Sequence, residues 1–462
     1  MRSRATALLL AVLLTAAVGA CGDDGSADDS EDRTAAAFGD PPDLPDGALD
    51  PQVAEAAADL VNSAAEGQID GDALEAVAAS GDVRLGWLLS DLLRFAPPGA
   101  GERRIVAAFA ELTGAAAGEA GVAGSAWLEL TDHMIAWDPP AQPGYRKLKA
   151  KLFTALEPEW RPFFADAGSE IDWRLVSWGG VLIDDRPPGD PRPCPSGCIP
   201  ALDDPGLTSA AEGGWYPDDR TVFGVVVGGE AVAFPKNVME VHEMVNVTIG
   251  GRRLGIPYCT LCGSPQAYLT DSAPRRFATP VLRTSGLLSR SNKVMYDFRT
   301  GSVLDTFTGR ALSGPLHDGG VTLEQVTVVA SSWGEWKREH PGTRIVAEDG
   351  GIGRSYPFDP LAGRDDAGPI FPVGDVDPRL PAQAEVVGAV VPGGGPIAFP
   401  AEEAGAALSA GEEVSVAGAD AIADGDGLRV VGPDGDELPA HRAFWFAWSQ
   451  FHPSTELWSP AR

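Results

Sequence analysis

The sequence predicts an α+β protein: an N-terminal helical domain, packed as a bundle or a HEAT-like array, followed by a β-rich unit with a truncated internal repeat. Three observations predict it. Apolar residues recur at helical spacing from Asp50 to about Phe164, as in Leu85, Leu88, Leu89, Leu92 and Leu93. After Trp173 the texture changes to short β-branched and aromatic runs broken by Gly, Pro and Asp, such as Thr221–Gly228 and Val294–Phe298. The pattern W-x-x-W-x-x-x-H-P-x-T occurs at Trp333–Thr343 and again at Trp445–Thr455.

The chain has 462 residues, 44% hydrophobic and 22% charged, enough for a full core and two or three domains. A formal charge of −31 would repel nucleic acid, so nucleic-acid binding is excluded as a function class. Gly 56 and Pro 39 place turns throughout.

The first 20 residues predict the compartment. Arg2 and Arg4 form a basic start, Ala5–Ala17 an apolar run, and Val18-Gly19-Ala20 supplies small residues ahead of Cys21. The run is too short to span a membrane. Its pattern is that of a bacterial lipoprotein signal, with Cys21 the lipidated residue that becomes the new N-terminus. The expectation is a protein anchored by lipid to the cell membrane on its extracytoplasmic face. Residues 21–47, rich in Asp, Ala and Pro without apolar periodicity, read as a disordered acidic tether.

Residues 48–172 read as the helical domain, whose role would be packing or the docking of a protein partner. Residues 173–350 read as the β-rich core unit. Gly228-Gly229 and Gly250-Gly251 lie between apolar runs there and predict hairpin turns, since glycine takes positive φ at no steric cost. Residues 351–462 read as a truncated second copy. Gly224–Gly228 leading to Ala233-Phe234-Pro235 has a counterpart in Gly388–Val391 leading to Ala398-Phe399-Pro400. In each copy the Trp pair at i, i+3 reads as the core face of a short helix that the His-Pro ends. His340 and His452, kept in both copies, read as structural.

Chemistry belongs to the first copy, because the second has no cysteine and nothing like His242-Glu243. Four cysteines besides Cys21 form two pairs, Cys194/Cys198 and Cys259/Cys262. Three readings stay open. The first is a disulfide-stapled binding module without catalysis. The second is a metal site, zinc or another thiolate-bound ion, held by Cys194, Cys198, Cys259 and Cys262 with His242 as a further ligand oriented by Glu243. The third is thiol–disulfide exchange at Cys259 and Cys262. Because a bridge closing only a few residues removes little unfolded-state entropy, all four cysteines and His242 are expected to converge in one cluster. No G-x-S-x-G elbow, Walker loop, H-E-x-x-H helix or dinucleotide fingerprint is present, so no enzymatic reaction is assigned.

The runs Cys198-Ile-Pro-Ala-Leu-Asp-Asp-Pro205, Tyr258-Cys-Thr-Leu-Cys-Gly263, Ser285-Gly-Leu-Leu288, Val294-Met-Tyr-Asp297 and Phe444-Trp-Phe-Ala-Trp-Ser-Gln-Phe-His-Pro453 carry a resemblance. With Ala233-Phe-Pro235, His242-Glu243, Thr300-Gly301 and Gly314-Pro-Leu316, they resemble the bacterial family catalogued as domain of unknown function 3179. The resemblance spans roughly Cys198 to the C-terminus. It implies membership in an uncharacterised, mostly exported family and implies no reaction.

Overall fold

Short helices open the chain because the sequence supplies both their caps and their apolar stripes. Asp50 accepts from Gln52 N at 2.8 Å and starts the Pro51–Ala65 helix, with Pro51 in its first turn; Asp70 accepts from Ala73 N at 3.1 Å and starts Gly71–Ala79. Helices Gly86–Phe95, Ala100–Thr113, Ser125–Trp137, Tyr145–Leu156 and Arg161–Ala165 follow. This computed structural model describes residues 35–115, 125–192, 194, 197–364 and 368–460. The signal segment and Cys21 lie outside the described residues. The stretch expected to be a tether is held to the helices from Phe38 on: Phe38 packs edge-on against His133, and Arg84 donates to Gly47 O at 3.0 Å.

The helices do not close a core separate from the β-region. Leu88, Leu89, Phe109 and Phe153 share one apolar cluster with Val176, Leu287, Val294 and Tyr296. Trp160 Nε1 crosses the same boundary to donate to Ser285 O at 2.7 Å. Inside the helical part Lys149, fully buried, meets Asp91 Oδ1 at 2.7 Å and Tyr145 OH at 3.0 Å, so its charge is paired where water cannot reach it.

Among the described residues five small sheets follow. Two of them share a plan. In one, the strand order is Val329–Ser332, Thr221–Val227, Glu230–Pro235, Arg344–Val346, Leu207–Ser209; in the other it is Ala440–Phe444, Glu385–Val390, Pro396–Pro400, Glu456–Leu457. The central hairpins carry the same register, Val222 opposite Pro235 and Gly224 opposite Ala233, against Val386 opposite Pro400 and Gly388 opposite Ala398. In both, the hairpin's second strand takes a parallel neighbour, Ile345 beside Ala233 and Leu457 beside Ala398. The glycine pairs sit where expected: Gly228 and Gly229 have φ of +59° and +81°, Gly250 and Gly251 +56° and +75°, each joining antiparallel strands.

The W-x-x-W elements form the helices Trp333–Glu339 and Trp445–Phe451, each capped by its histidine. Trp336 and Trp448 lie against glycines of the central strands, and each indole N–H donates to the threonine that closes its motif, Thr343 at 3.0 Å and Thr455 at 2.9 Å.

What lies between hairpin and Trp helix differs. In the first sheet the intervening chain builds most of the six-stranded sheet around Met244–Ile249 and Arg252–Cys259 and most of the four-stranded sheet of Val176–Trp178, Leu282–Ser289, Asn292–Asp297 and Val303–Leu304. In the second it builds one small sheet, Ser415–Leu438. Each insertion covers the other sheet's Trp helix. Asp424 of the small sheet accepts from His340 Nε2 at 2.7 Å, while Phe307 of the large insertion stacks on Phe451 with ring centres 4.5 Å apart. Residues 347–364 and 368–384 run without helix or strand, and Val373 N and Gly374 N tie the second stretch to the helices by both donating to Asp132 Oδ1 at 2.6 and 2.7 Å.

The indole–glycine contact is testable. A Cβ at Gly224 would stand 2.4 Å from the Trp336 ring, closer than any packing tolerates. Gly224→Ala is expected to lower unfolding free energy by about 1–3 kcal/mol, read from denaturant midpoints. Gly214→Ala, where a Cβ meets nothing within 4 Å, should leave the midpoint unchanged.

Candidate functional site

The two cysteine pairs are built separately. Cys194 and Cys198 are disulfide-bonded, with Cα atoms 5.3 Å apart. The bridge closes a short loop, contrary to the expectation that so local a link would be passed over. Its surroundings explain why it is worth closing there. Cys194 Sγ lies 3.9 Å from Asp184 Oδ1, and Asp184, fully buried, accepts from Arg186 Nε at 2.7 Å and from Ala201 N at 2.8 Å. Arg283, also fully buried, pairs with Asp203 at 2.6 Å and faces Asp184 at 3.7 Å. The bridge therefore lies beside a buried charge network that water would weaken. Among the described residues, Asp184, Cys194 and Cys198 form the one group close enough to share a metal ion. With the two sulfurs bonded to each other, neither thiolate is available to it.

Cys259 ends a buried strand, and Thr260–Gly263 then turns tightly, Cys262 N donating to Cys259 O at 3.3 Å. Gly263 has φ of +58°, and the ring of Phe444 stands 3.1 Å from where its Cβ would be. Phe444 N donates to Cys262 O at 2.8 Å, so the second sheet closes directly over the pair. Cys259 and Cys262 are free thiols, 2% and 0% exposed. Both sulfurs face Ser291 O, at 3.7 and 3.6 Å, and Cys259 Sγ accepts from Lys293 N at 3.3 Å.

Ser291 and Arg290 form the tip of the Leu282–Asp297 hairpin with φ of +68° and +47°, a left-handed conformation that costs non-glycine residues about 1 kcal/mol or more each. That turn is what aims the carbonyl at the two sulfurs.

Electrostatics make the pair unequal. Burial alone would push the Cys259 thiol up, but the hydrogen bond from Cys262, joined by the Lys293 N–H and ammonium, outweighs burial and the opposing Glu243 carboxylate, so its pKa is lowered. Burial pushes the Cys262 thiol well up, and its neighbour Cys259 adds to the rise. Lys293 is itself held by Glu243, Nζ lying 2.6 Å from the Glu243 carbonyl and 2.8 Å from Oε2. Glu243 Oε1 accepts from Thr260 Oγ1 at 3.1 Å.

His242 belongs to neither pair. Its Nδ1 meets Pro200 O at 2.7 Å and its Nε2 meets Tyr356 OH at 2.8 Å, so both ring nitrogens are taken. Glu243, expected to orient the imidazole, instead caps the Lys236–His242 helix with φ of +51° and turns its carboxylate to Lys293. The structure thus places Cys194 with Cys198, Cys259 with Cys262, and His242 apart from both, rather than gathering all five as ligands around one point. Lys293, Ser291 and Asp184 were not singled out from the sequence. A single lysine inside a buried strand was the signal for Lys293; Ser291 acts through its backbone and left none.

Burial holds the His242 pKa down to about 4. Because the folded pKa lies below the unfolded value near 6.5, the unfolded chain binds more protons between them, and stability falls as pH drops through that window. His242 is expected to contribute up to roughly 3 kcal/mol of that loss. Urea titrations between pH 7 and pH 4 check it: the slope should flatten in His242→Gln.

Residues 196–423 match the model of the family described as protein of unknown function (DUF3179). The match takes in Cys198, His242, Cys259 and Cys262 and ends before the Trp445–Thr455 element. No curated protein and no solved structure matches the chain. By that match, and by the motifs in the sequence, residues 196–423 are similar to the DUF3179 family.

Proposed function

We propose that this protein is an extracytoplasmic binding module, tethered to the cell membrane through lipidated Cys21 and built from two copies of one sheet-and-Trp-helix unit, the second truncated. In this reading its cysteines are structural and it holds no metal. The observation that supports the reading is the sorting of the cysteines into two local pairs while both nitrogens of His242 are engaged. A structural or catalytic metal needs three or four converging donors near 2.0–2.3 Å; among the described residues Cys259 and Cys262 have no third donor grouped with them, and the Asp184 group has its two sulfurs bonded to each other. The Cys194–Cys198 bridge suits an oxidising compartment, as the lipoprotein signal implies. The shared strand order and register of the two sheets support duplication, and the smaller insertion of the second supports its truncation.

A second reading, thiol–disulfide exchange at Cys259 and Cys262, is favoured by the lowered Cys259 pKa alone. The Phe444 cover opposes it, because an attacking thiolate must reach its partner's sulfur in line.

Protein purified without chelator tests both. Expected are no stoichiometric metal, a Cys194–Cys198 bridge in non-reduced peptide maps, Cys259 and Cys262 alkylated only after unfolding, and an acyl mass on Cys21 that Cys21→Ala abolishes with release from the membrane. Stoichiometric metal protecting the thiols would overturn the reading in favour of a metalloprotein. Rapid alkylation of native Cys259 would overturn it in favour of exchange.

A further inference from the structure

The binding reading leaves open where a ligand sits. A polar cavity of about 330 Å³ opens beside the first sheet, between the Lys236–His242 helix, the turn before Thr221 and the surface segment at Phe358. Its lining is polar, with little apolar wall apart from Tyr216 and Phe358.

Asn237 is the key group. It lines the cavity and is 1% exposed, its Nδ2 donates to Pro357 O at 3.0 Å, and its Oδ1 has no partner. A buried carbonyl oxygen left without a donor costs about 1–3 kcal/mol, so a ligand that brings an O–H or N–H to it gains that back.

The charges around it are largely spent on each other. Arg220 donates to Phe358 O at 3.0 Å and lies over the Phe358 ring at 4.8 Å, and Lys236 pairs with Glu240 at 3.4 Å. Asp219 and Asp359 stand exposed at the rim. A strongly charged ligand would have to break these pairs, and each sign of charge would meet a like charge across the cavity. A neutral ligand with several hydroxyls would not: it can donate to the carboxylates and to Asn237 Oδ1 and accept from Arg220 and Lys236. Phe358, 42% exposed, offers a flat apolar face beside these groups. Hydroxyls on one edge and C–H groups on one face describe a sugar ring.

The second sheet lacks the residues that line this site. Its helix begins after the equivalent Pro400 with Ala401 and Glu402 where the first has Lys236 and Asn237, and has Gly405 where the first has Glu240. The residues that line the cavity of the first sheet are therefore not repeated in the second.

We propose that this cavity binds a saccharide, with Asn237 Oδ1 accepting a ring hydroxyl, Phe358 stacking on the C–H face, and the rim carboxylates with Arg220 setting orientation. The inference rests on reading the chain as a binding module. The two fail distinguishably, because the cysteine measurements above do not involve this cavity.

Saturation-transfer NMR on the full mature chain tests it, with glucose, galactose, N-acetylglucosamine, maltose and trehalose as probes and glycine and inorganic phosphate as charged comparators. At least one sugar should receive saturation, and its affinity should fall about tenfold or more in Asn237→Leu and in Phe358→Ala. Phe358 lies at the surface, so its variant keeps the test valid should Asn237→Leu unfold. Transfer to none of the sugars, transfer that survives Phe358→Ala, or binding of glycine or phosphate that Phe358→Ala or Asn237→Leu abolishes would overturn the proposal.

Discussion

An indole ring laid against a glycine in a central strand organises this protein, and it occurs twice. Trp336 covers Gly224 and Trp448 covers Gly388, and no side chain larger than hydrogen fits beneath either ring. The contact fixes how each short helix crosses its hairpin, and the N–H bond to Thr343 or Thr455 fixes the turn that follows. The chain can then return as the parallel strand Arg344–Val346 or Glu456–Leu457. Helices of seven residues are too short to stand alone in water. Their order comes from burying two tryptophans each, all four 0–1% exposed.

That packing also sets where the cysteines lie. Because each insertion reaches over the other sheet's Trp helix, the Cys259–Cys262 turn is driven against Phe444 and Trp445 and loses its access to water. The same burial that would raise both thiol pKa values is offset at Cys259 by the hydrogen bond with Cys262 and then by Lys293, which Glu243 holds in place through both its carbonyl and its carboxylate. The left-handed residues Glu243, Arg290 and Ser291 converge here. Strain of this kind persists where the surroundings over-determine it, and it marks this corner as the most constrained part of the β-region. The Cys194–Cys198 bridge lies elsewhere, beside the Asp184–Arg186–Arg283–Asp203 network.

Much of the fold was legible in the residues because it rests on local rules. Helical periodicity marked Leu85–Leu93, paired glycines marked two hairpins, and the W-x-x-W-x-x-x-H-P-x-T pattern marked both Trp helices and their ends. The fate of His242 was not legible. Its partners, Pro200 and Tyr356, are distant in sequence and sit on irregular segments that no periodicity describes. Spacing alone suggested that close-set cysteines would seek distant partners. The local bridge sits with Cys194 Sγ 3.9 Å from the buried Asp184, a placement invisible until the fold brings the arginines to that carboxylate. Nor could the sequence show that Lys293 would face Cys259, since that depends on the register of one hairpin.

The central claim is that the cysteines form two separate local pairs in a metal-free protein. Locating the sulfurs directly, by long-wavelength anomalous diffraction from crystals of the mature chain grown without chelator, tests it most directly. The account predicts a bonded Cys194–Cys198 pair, an adjacent Cys259–Cys262 pair facing Ser291 O, and no heavier scatterer at either. A metal peak shared by Cys259 and Cys262 with a further ligand, or a bridge joining a sulfur of one pair to the other, would contradict it.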